Sequence, residues 1–297
     1  MKDRLRRLHF NTLCAGILKT PPVAVDSGSR LAVLSQLQHK DVMMYLTALK
    51  SFALRVPVGE ICVLNDGSLT QSDIGLLQEH AAGIRFLQLQ DFRSARCPSG
   101  GTWERLLAIA ELAKTRYVIQ LDADTLTIGP ASEINEFVHA GRAFTIGTWD
   151  KQTIETMQER CATAQALKPD AAAHVQVVAE ANFDRLRGFQ ALRYVRGCSG
   201  FAGFPQDSFS KTFVEDISEQ MSAAIGQKWH EWGSEQVMSN IVVANIPGAQ
   251  VLPHPKYSDC QKMKLPETVF VHFIGSCRFD AGIYAGLAKE VIGALRA

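Results

Sequence analysis

Apolar and polar positions along this chain repeat with two alternating periods. Arg30 to Gln36 (RLAVLSQ) is a short, nearly continuous apolar run, the pattern of a strand covered on both faces. Beyond Asp41, a candidate N-cap, residues Val42, Tyr45, Leu46, Leu49 and Ala53 recur at helical spacing. A second apolar run, Ile61 to Leu64, ends in the turn signal Asn65-Asp66-Gly67; a polar helix from about Gln71 to His80 comes next, then a third strand from Ile84 to Leu89. Strands and helices that alternate over short connections predict a parallel sheet covered by helices, with right-handed crossovers.

The rhythm continues downstream. Thr102 is placed to cap a helix whose buried face is Leu106, Leu107, Ile109, Ala110 and Ala113. Tyr117 to Leu121 is a buried strand running into a loop, and Phe144 to Thr148 is another. The alanine-rich segment 150–196, broken at Pro169, predicts a helical insertion that interrupts the sheet, either an acceptor-facing part or plain packing. Cys198 to Phe204 is a strand interrupted by Gly200 and Gly203, as expected where another group approaches the backbone closely. Helices are predicted from Asp207 to about Ile225 and from near Ser234. An apolar strand within Thr268 to Phe279 delivers His272, Gly275 and Arg278, and a closing helix runs from Asp280 to Leu295. Residues 1–28 read as a basic amphipathic arm and linker, 29–297 as one domain.

In such sheets ligands bind outside the carboxyl ends of the strands, which makes Ser35, Gln36, Asn65 and Asp66 candidate nucleoside contacts and puts Asp122 at the same edge. Asp122 and Asp124, two apart on extended backbone, point the same way with Cα atoms roughly 6.5 Å apart. At an effective dielectric of about 20 they repel by about 3 kcal/mol, a cost that a divalent cation removes. Arg105 sits in the first turn of its helix, where the macrodipole disfavours a cation; either it has an anionic partner or it is simply exposed.

Composition narrows the functions on offer. A net charge of +1 lacks the basic footprint of a nucleic-acid binder, and no apolar run reaches the roughly 18 to 20 residues of a membrane span, so membrane contact would be peripheral. Seven scattered cysteines without a C-x-x-C pair favour reduced thiols, and hence a cytoplasmic protein, over a disulfide framework or a structural zinc site.

Three separated segments, Asp122-Ala123-Asp124, Glu235-Gln236 with Asn240, and His272-Phe273-Ile274-Gly275 with Arg278, agree in order and spacing with a family pattern. The chain resembles family 8 nucleotide-sugar glycosyltransferases, glycogenin-like and bacterial lipopolysaccharide sugar transferases, which carry D-x-D, D-Q-x-x-x-N and H-F-x-G-x-x-K. Glu235 replaces the usual Asp and Arg278 the usual Lys; arginine keeps the charge but binds through a planar fork. The resemblance implies a GT-A-like α/β fold, a mainly parallel mixed sheet flanked by helices with a Rossmann-like nucleotide-binding half. It implies metal ligation by Asp122, Asp124 and His272, with Mn²⁺ favoured over Mg²⁺ by the nitrogen ligand. Arg105, Gly275 and Arg278 would contact a nucleotide-sugar donor, a UDP-sugar first among them, with transfer to a sugar, lipid or protein acceptor. Glu235 and Gln236 would face the sugar: stabilisers of cationic character if configuration is retained, as in this family, or Glu235 as base if it is inverted.

Each residue also has a plainer reading. His272 alone suits a hydrogen-bonded core histidine, and Glu235 and Gln236 suit an ordinary helix start. Trp103, Trp229 and Trp232 either stack on sugars or fill the core, Trp103 more the latter. Two other functions compete. A haloacid-dehalogenase-type phosphatase also places D-x-D after a strand, but wants D-x-D-x-T, and position 126 is Leu. A non-catalytic nucleotide-binding relative has less need of a complete metal set.

Overall fold

The chain order derives from the two periods. In a computed structural model, which describes residues 2–170, 172–275 and 277–296, α1 (Lys2–Leu13) leads into β1 (Leu31–Leu37), α2 (Val42–Ala53), β2 (Glu60–Asn65), α3 (Gln71–His80), β3 (Arg85–Gln88) and α4 (Trp103–Leu112). Then come β4 (Tyr117–Leu121), β5 (Thr125–Thr127), α5 (Ser132–Ala140), β6 (Phe144–Gly147), β7 (Glu155–Thr156), α6 (Met157–Ala166) and α7 (Val175–Ala181). The remainder is β8 (Arg193–Tyr194), β9 (Gly197–Phe204), α8 (Lys211–Ile225), α9 (Ser234–Ala244), β10 (Gln250–Leu252), β11 (Tyr257–Asp259), β12 (Phe270–His272) and α10 (Ile283–Ala294).

Seven strands form the central sheet in the order β10-β6-β9-β4-β1-β2-β3, parallel except for β9, which runs antiparallel to both β4 and β6. A small sheet, β11-β12-β5, lies beside it and pairs His272 with Thr125. Because β6 and β9 are direct neighbours, the helical segment between them leaves the sheet continuous. The apolar stretch around His272 is strand only over β12; from Phe273 the chain leaves the sheet as a loop.

Strand period two divides the core between the faces. Leu31, Val33, Val63 and Ile119 join α1, α2 and α10 on one side, whereas Leu34, Cys62 and Val118 join α4 and α9 on the other. Each such aliphatic side chain, fully buried, contributes about 1.5–3 kcal/mol. Asp41 stands at the N-cap position, but its carboxylate is taken by Arg7 of α1 and caps nothing. The amphipathic reading of the N-terminal segment becomes a helix, yet Phe10 and Cys14 lie in the core, with Phe10 against Tyr284 of α10.

The cysteine expectation needs a correction. Cys260 and Cys277, 17 residues apart, are disulfide-bonded, while Cys14, Cys62, Cys97, Cys161 and Cys198 are free. Scatter along the sequence conceals a pair that the β12 turn brings together, and the thiol argument for a reducing compartment falls with it. Among the described residues no helix is long and apolar enough to cross a membrane.

One buried cation lies outside the sheet edge. Lys50 Nζ donates to Thr20 O (3.2 Å), Thr20 Oγ1 (2.8 Å) and Pro21 O (2.8 Å), and stands 2.9 Å from His80 Nδ1. Burial lowers its pKa from 10.5 to about 8. The unfolded chain therefore binds this proton across pH 8 to 10.5 while the folded chain releases it. The lysine's contribution to stability rises with pH in that window, by up to about 1.4 kcal/mol per unit. Urea unfolding of wild type and Lys50→Met at about pH 7.5 and about pH 10 checks this; the difference should move in favour of wild type at the higher pH, and a constant difference contradicts it.

Candidate functional site

The carboxyl end of β4 carries Asp122, and the tight connection into β5 carries Asp124. Thr125 Oγ1 donates to the Asp122 carbonyl (2.8 Å) and the Asp122 N–H donates to Gly200 O (2.9 Å), so the turn is held from both sides. β12, antiparallel to β5, brings in His272, 150 residues along the chain but adjacent through the register His272–Thr125. Its ring lies over Gly200 of β9, where a Cβ would come within 2.2 Å of His272 Cε1. Only glycine leaves room for the imidazole, which is the close approach that a glycine-interrupted strand suggests.

Each aspartate divides its two oxygens. Asp122 Oδ1 accepts from Arg105 Nη1, and its Oδ2 lies 3.9 Å from His272 Nε2. Asp124 Oδ2 accepts from Arg278 Nη2, and its Oδ1 lies 3.2 Å from the same nitrogen. One carboxylate oxygen from each acid and one imidazole nitrogen thus converge, with ligand atoms all within 4.8 Å of one another. An O, O, N donor set of this kind fits a divalent cation.

Charges around this point are closely balanced. Burial would raise the Asp124 carboxyl, but His272 and Arg278 beside it hold it at about 2. At Asp122 burial prevails over the pull of Arg105 and His272, and its carboxyl is raised. His272 is disfavoured as a cation by burial, yet Cys198 and Asp124 together hold its pKa well above the ordinary value. Three acids, Asp122, Asp124 and Glu235, face three basic groups, Arg105, Arg278 and His272.

Arg105 has the anionic partners that its position in α4 suggests. Its side chain, 4% exposed, reaches Asp122 and also Glu235 Oε2 (3.5 Å) at the start of α9. Thr102 Oγ1 donates to the same Glu235 oxygen (2.8 Å). Thr102 stands before α4 at φ 76° and gives its side chain no capping bond, correcting the expectation of an N-cap. Glu235 Oε1 is buried with no hydrogen-bond partner, and burial keeps this carboxyl above the usual range despite Arg105. Gln236 Oε1 accepts from Ser199 Oγ at 3.3 Å, and Asn240 Oδ1 accepts from the Gly197 N–H at 3.1 Å.

A cleft of about 190 Å³ opens over these groups, lined by Arg105, Asp122, Asp124 and Arg278 together with Gln36, Gln38, Asp41 and Met44. A larger groove of about 370 Å³, at Pro21, Lys50 and Leu295, shares no residue with it and brings no acid to its walls. Gln36 keeps a buried, unpartnered Oε1. Ser35, by contrast, is fully buried and donates to Leu121 O (2.5 Å), so it does not face the cleft. Asn65 and Asp66 accept turn hydrogen bonds from Gly67 and Ser68 and are absent from the cleft lining. Gly275 is exposed in the loop between β12 and Arg278. Trp103 and Trp229 are core residues in edge-to-face contact at 5.6 Å, whereas Trp232 is 77% exposed.

Sequence reasoning misses Asp41, Gln38 and Met44, which reach the cleft because β1 ends and α2 begins there. It also misses Cys198, whose Sγ lies 2.9 Å from His272 Nδ1. Only its place on a strand already marked by glycines hints at it.

No family model matches the chain, and no curated protein matches it. Solved structures do. WbbM, a bifunctional glycosyltransferase in its apo form, aligns over 89% of this chain at 13% identity with a TM-score of 0.53, and this chain spans only 50% of that protein's length. Mouse xyloside xylosyltransferase 1 aligns over 84% of this chain and 98% of its own (11% identity, TM-score 0.49). The galactosyltransferase LgtC, solved with donor and acceptor sugar analogs, aligns over 90% and 96% (12% identity, TM-score 0.47). At such identities the likeness is one of fold: this chain has the GT-A fold of glycosyltransferases, with its paired aspartates at the carboxyl edge of the sheet.

Proposed function

We propose that the protein transfers a sugar from a nucleotide-diphosphate donor, a UDP-sugar first among the candidates, to an acceptor hydroxyl, with a divalent cation, Mn²⁺ in preference to Mg²⁺. The observation that carries this reading is the convergence of Asp122 Oδ2, Asp124 Oδ1 and His272 Nε2 on one point, the other carboxylate oxygens being held by Arg105 and Arg278. When bound there, the cation would neutralise charge on the diphosphate leaving group.

The side chains supply the rest. Arg278, at the cleft wall, would share its guanidinium between Asp124 and a phosphate, where charge grows as the glycosidic bond breaks. Gln36, in the cleft wall, would contact the nucleoside. Glu235 is 2% exposed and outside the cleft lining, with Oε2 held by Thr102 and Arg105 and Oε1 buried, so neither oxygen lies open to take a proton from an acceptor hydroxyl. That favours retention, with Gln236 the residue that would face the sugar. Trp232, exposed three residues before Glu235, suits stacking on an acceptor sugar. Exposed Leu5 and Leu8 among the arginines of α1 suit peripheral contact with a membrane surface.

Thermal shift against a panel of nucleotide sugars, with and without Mn²⁺, tests the reading. A rise in melting temperature that needs both one nucleotide class and Mn²⁺ is the expected result. A panel without effect overturns it, and stabilisation by UDP that ignores Mn²⁺ points to a binding protein instead.

A further inference from the structure

Resting on the metal reading above, we propose that Cys198 is a positioning residue for the cation: its sulfur accepts a hydrogen bond from His272 Nδ1–H and thereby keeps the Nε2 lone pair facing Asp122 and Asp124. The sulfur lies 2.9 Å from Nδ1, on the side of the ring opposite the two acids. An imidazole ligates through a nitrogen that carries no proton, so ligation by Nε2 requires the proton to sit on Nδ1. That N–H is buried with the ring, 8% exposed, and needs an acceptor. Among the described residues Cys198 is the hydrogen-bond partner of Nδ1, and the two-residue spacing from Gly200 explains the arrangement. On β9 both side-chain positions face the same way; residue 200 is left empty so that the ring can lie down, and residue 198 grips its far edge. Other metal-binding histidines commonly donate their second nitrogen to a carboxylate or carbonyl; here a thiol holds that place.

The test compares Cys198→Val, which keeps bulk and removes the acceptor, with Cys198→Ser, which keeps an acceptor. The full chain is titrated with Mn²⁺ alone, free ion being read by electron paramagnetic resonance, and metal-free melting temperatures are recorded in parallel. Cys198→Val is expected to bind Mn²⁺ about 10- to 100-fold more weakly than wild type and, because the buried Nδ1–H loses its acceptor, to melt lower without metal; Cys198→Ser is expected to stay close to wild type in both. Wild-type affinity in Cys198→Val overturns the proposal. So does a serine variant as weak as the valine one, which would show that a hydrogen-bond acceptor at position 198 does not hold the ring; a serine variant that melts as low as the valine one without metal would make the role packing. Asp124→Ala separates the two levels of inference. Binding that ignores Asp124 defeats the metal site and this proposal with it; binding that needs Asp124 but not Cys198 defeats the positioning role alone.

Discussion

Asp124→Ala is expected to lower the rate of nucleotide-sugar turnover at saturating Mn²⁺ by about a thousandfold or more. The reason is that one side chain serves two positive groups. Oδ1 belongs to the convergence point with His272, and Oδ2 holds Arg278 against the cleft wall. Removing it takes one of two anionic ligands from the cation and releases the arginine that would meet the diphosphate. Loss of a single preorganised charge partner of the leaving group commonly costs about 10²–10³ in rate, and here two are disturbed together. The check is release of nucleoside diphosphate from whichever donor stabilises the protein, measured for wild type, Asp124→Asn and Asp124→Ala. Asparagine, which keeps an oxygen but no charge, is expected to lose nearly as much. A variant that retains more than about a tenth of wild-type rate contradicts the assignment.

Arg105→Ala is expected to act on stability as strongly as Asp124→Ala acts on rate. The guanidinium is the counter-charge for Asp122 and for Glu235, whose side chain is 2% exposed. Burial penalises its own charge, and the two carboxylates outweigh that penalty. Truncation leaves two acids in a low-dielectric site with their arginine gone, and breaking such a buried pair costs about 3–5 kcal/mol. For a chain of this size that is a fall in melting temperature on the order of 10 °C. Arg105→Lys should recover only part of it, because one ammonium cannot span both partners as the fork does. Denaturant unfolding of the three proteins in metal-free buffer measures the effect, and an alanine variant as stable as wild type rules it out.

Much of this arrangement is legible in the sequence. Strand runs and helical spacing mark the sheet, since the apolar side chains that cover both faces are local in sequence. The three motif segments name Asp122, Asp124, Glu235, His272 and Arg278, and the unfavourable dipole position of Arg105 points to its acidic partners. The features that stay hidden depend on register across long separations. Nothing local to Cys198 says that β9 will lie beside β4 and beneath His272, or that Cys260 will meet Cys277. The edge positions are hidden for a different reason: Ser35 sits at a buried point of β1, and Asn65 and Asp66 each give one side-chain oxygen to their own turn and lie outside the cleft lining. Asp41 and Thr102 look like caps because those residue types usually are, but long-range partners, Arg7 and Glu235, claim the side chains.

The most direct measurement is anomalous diffraction from crystals soaked with Mn²⁺. One peak in contact with Asp122, Asp124 and the Nε2 nitrogen of His272 is the expected result. A peak touching only the acids, with the imidazole rotated off it, or no peak at the carboxyl edge of β4, contradicts the cation site on which the proposed sugar transfer depends.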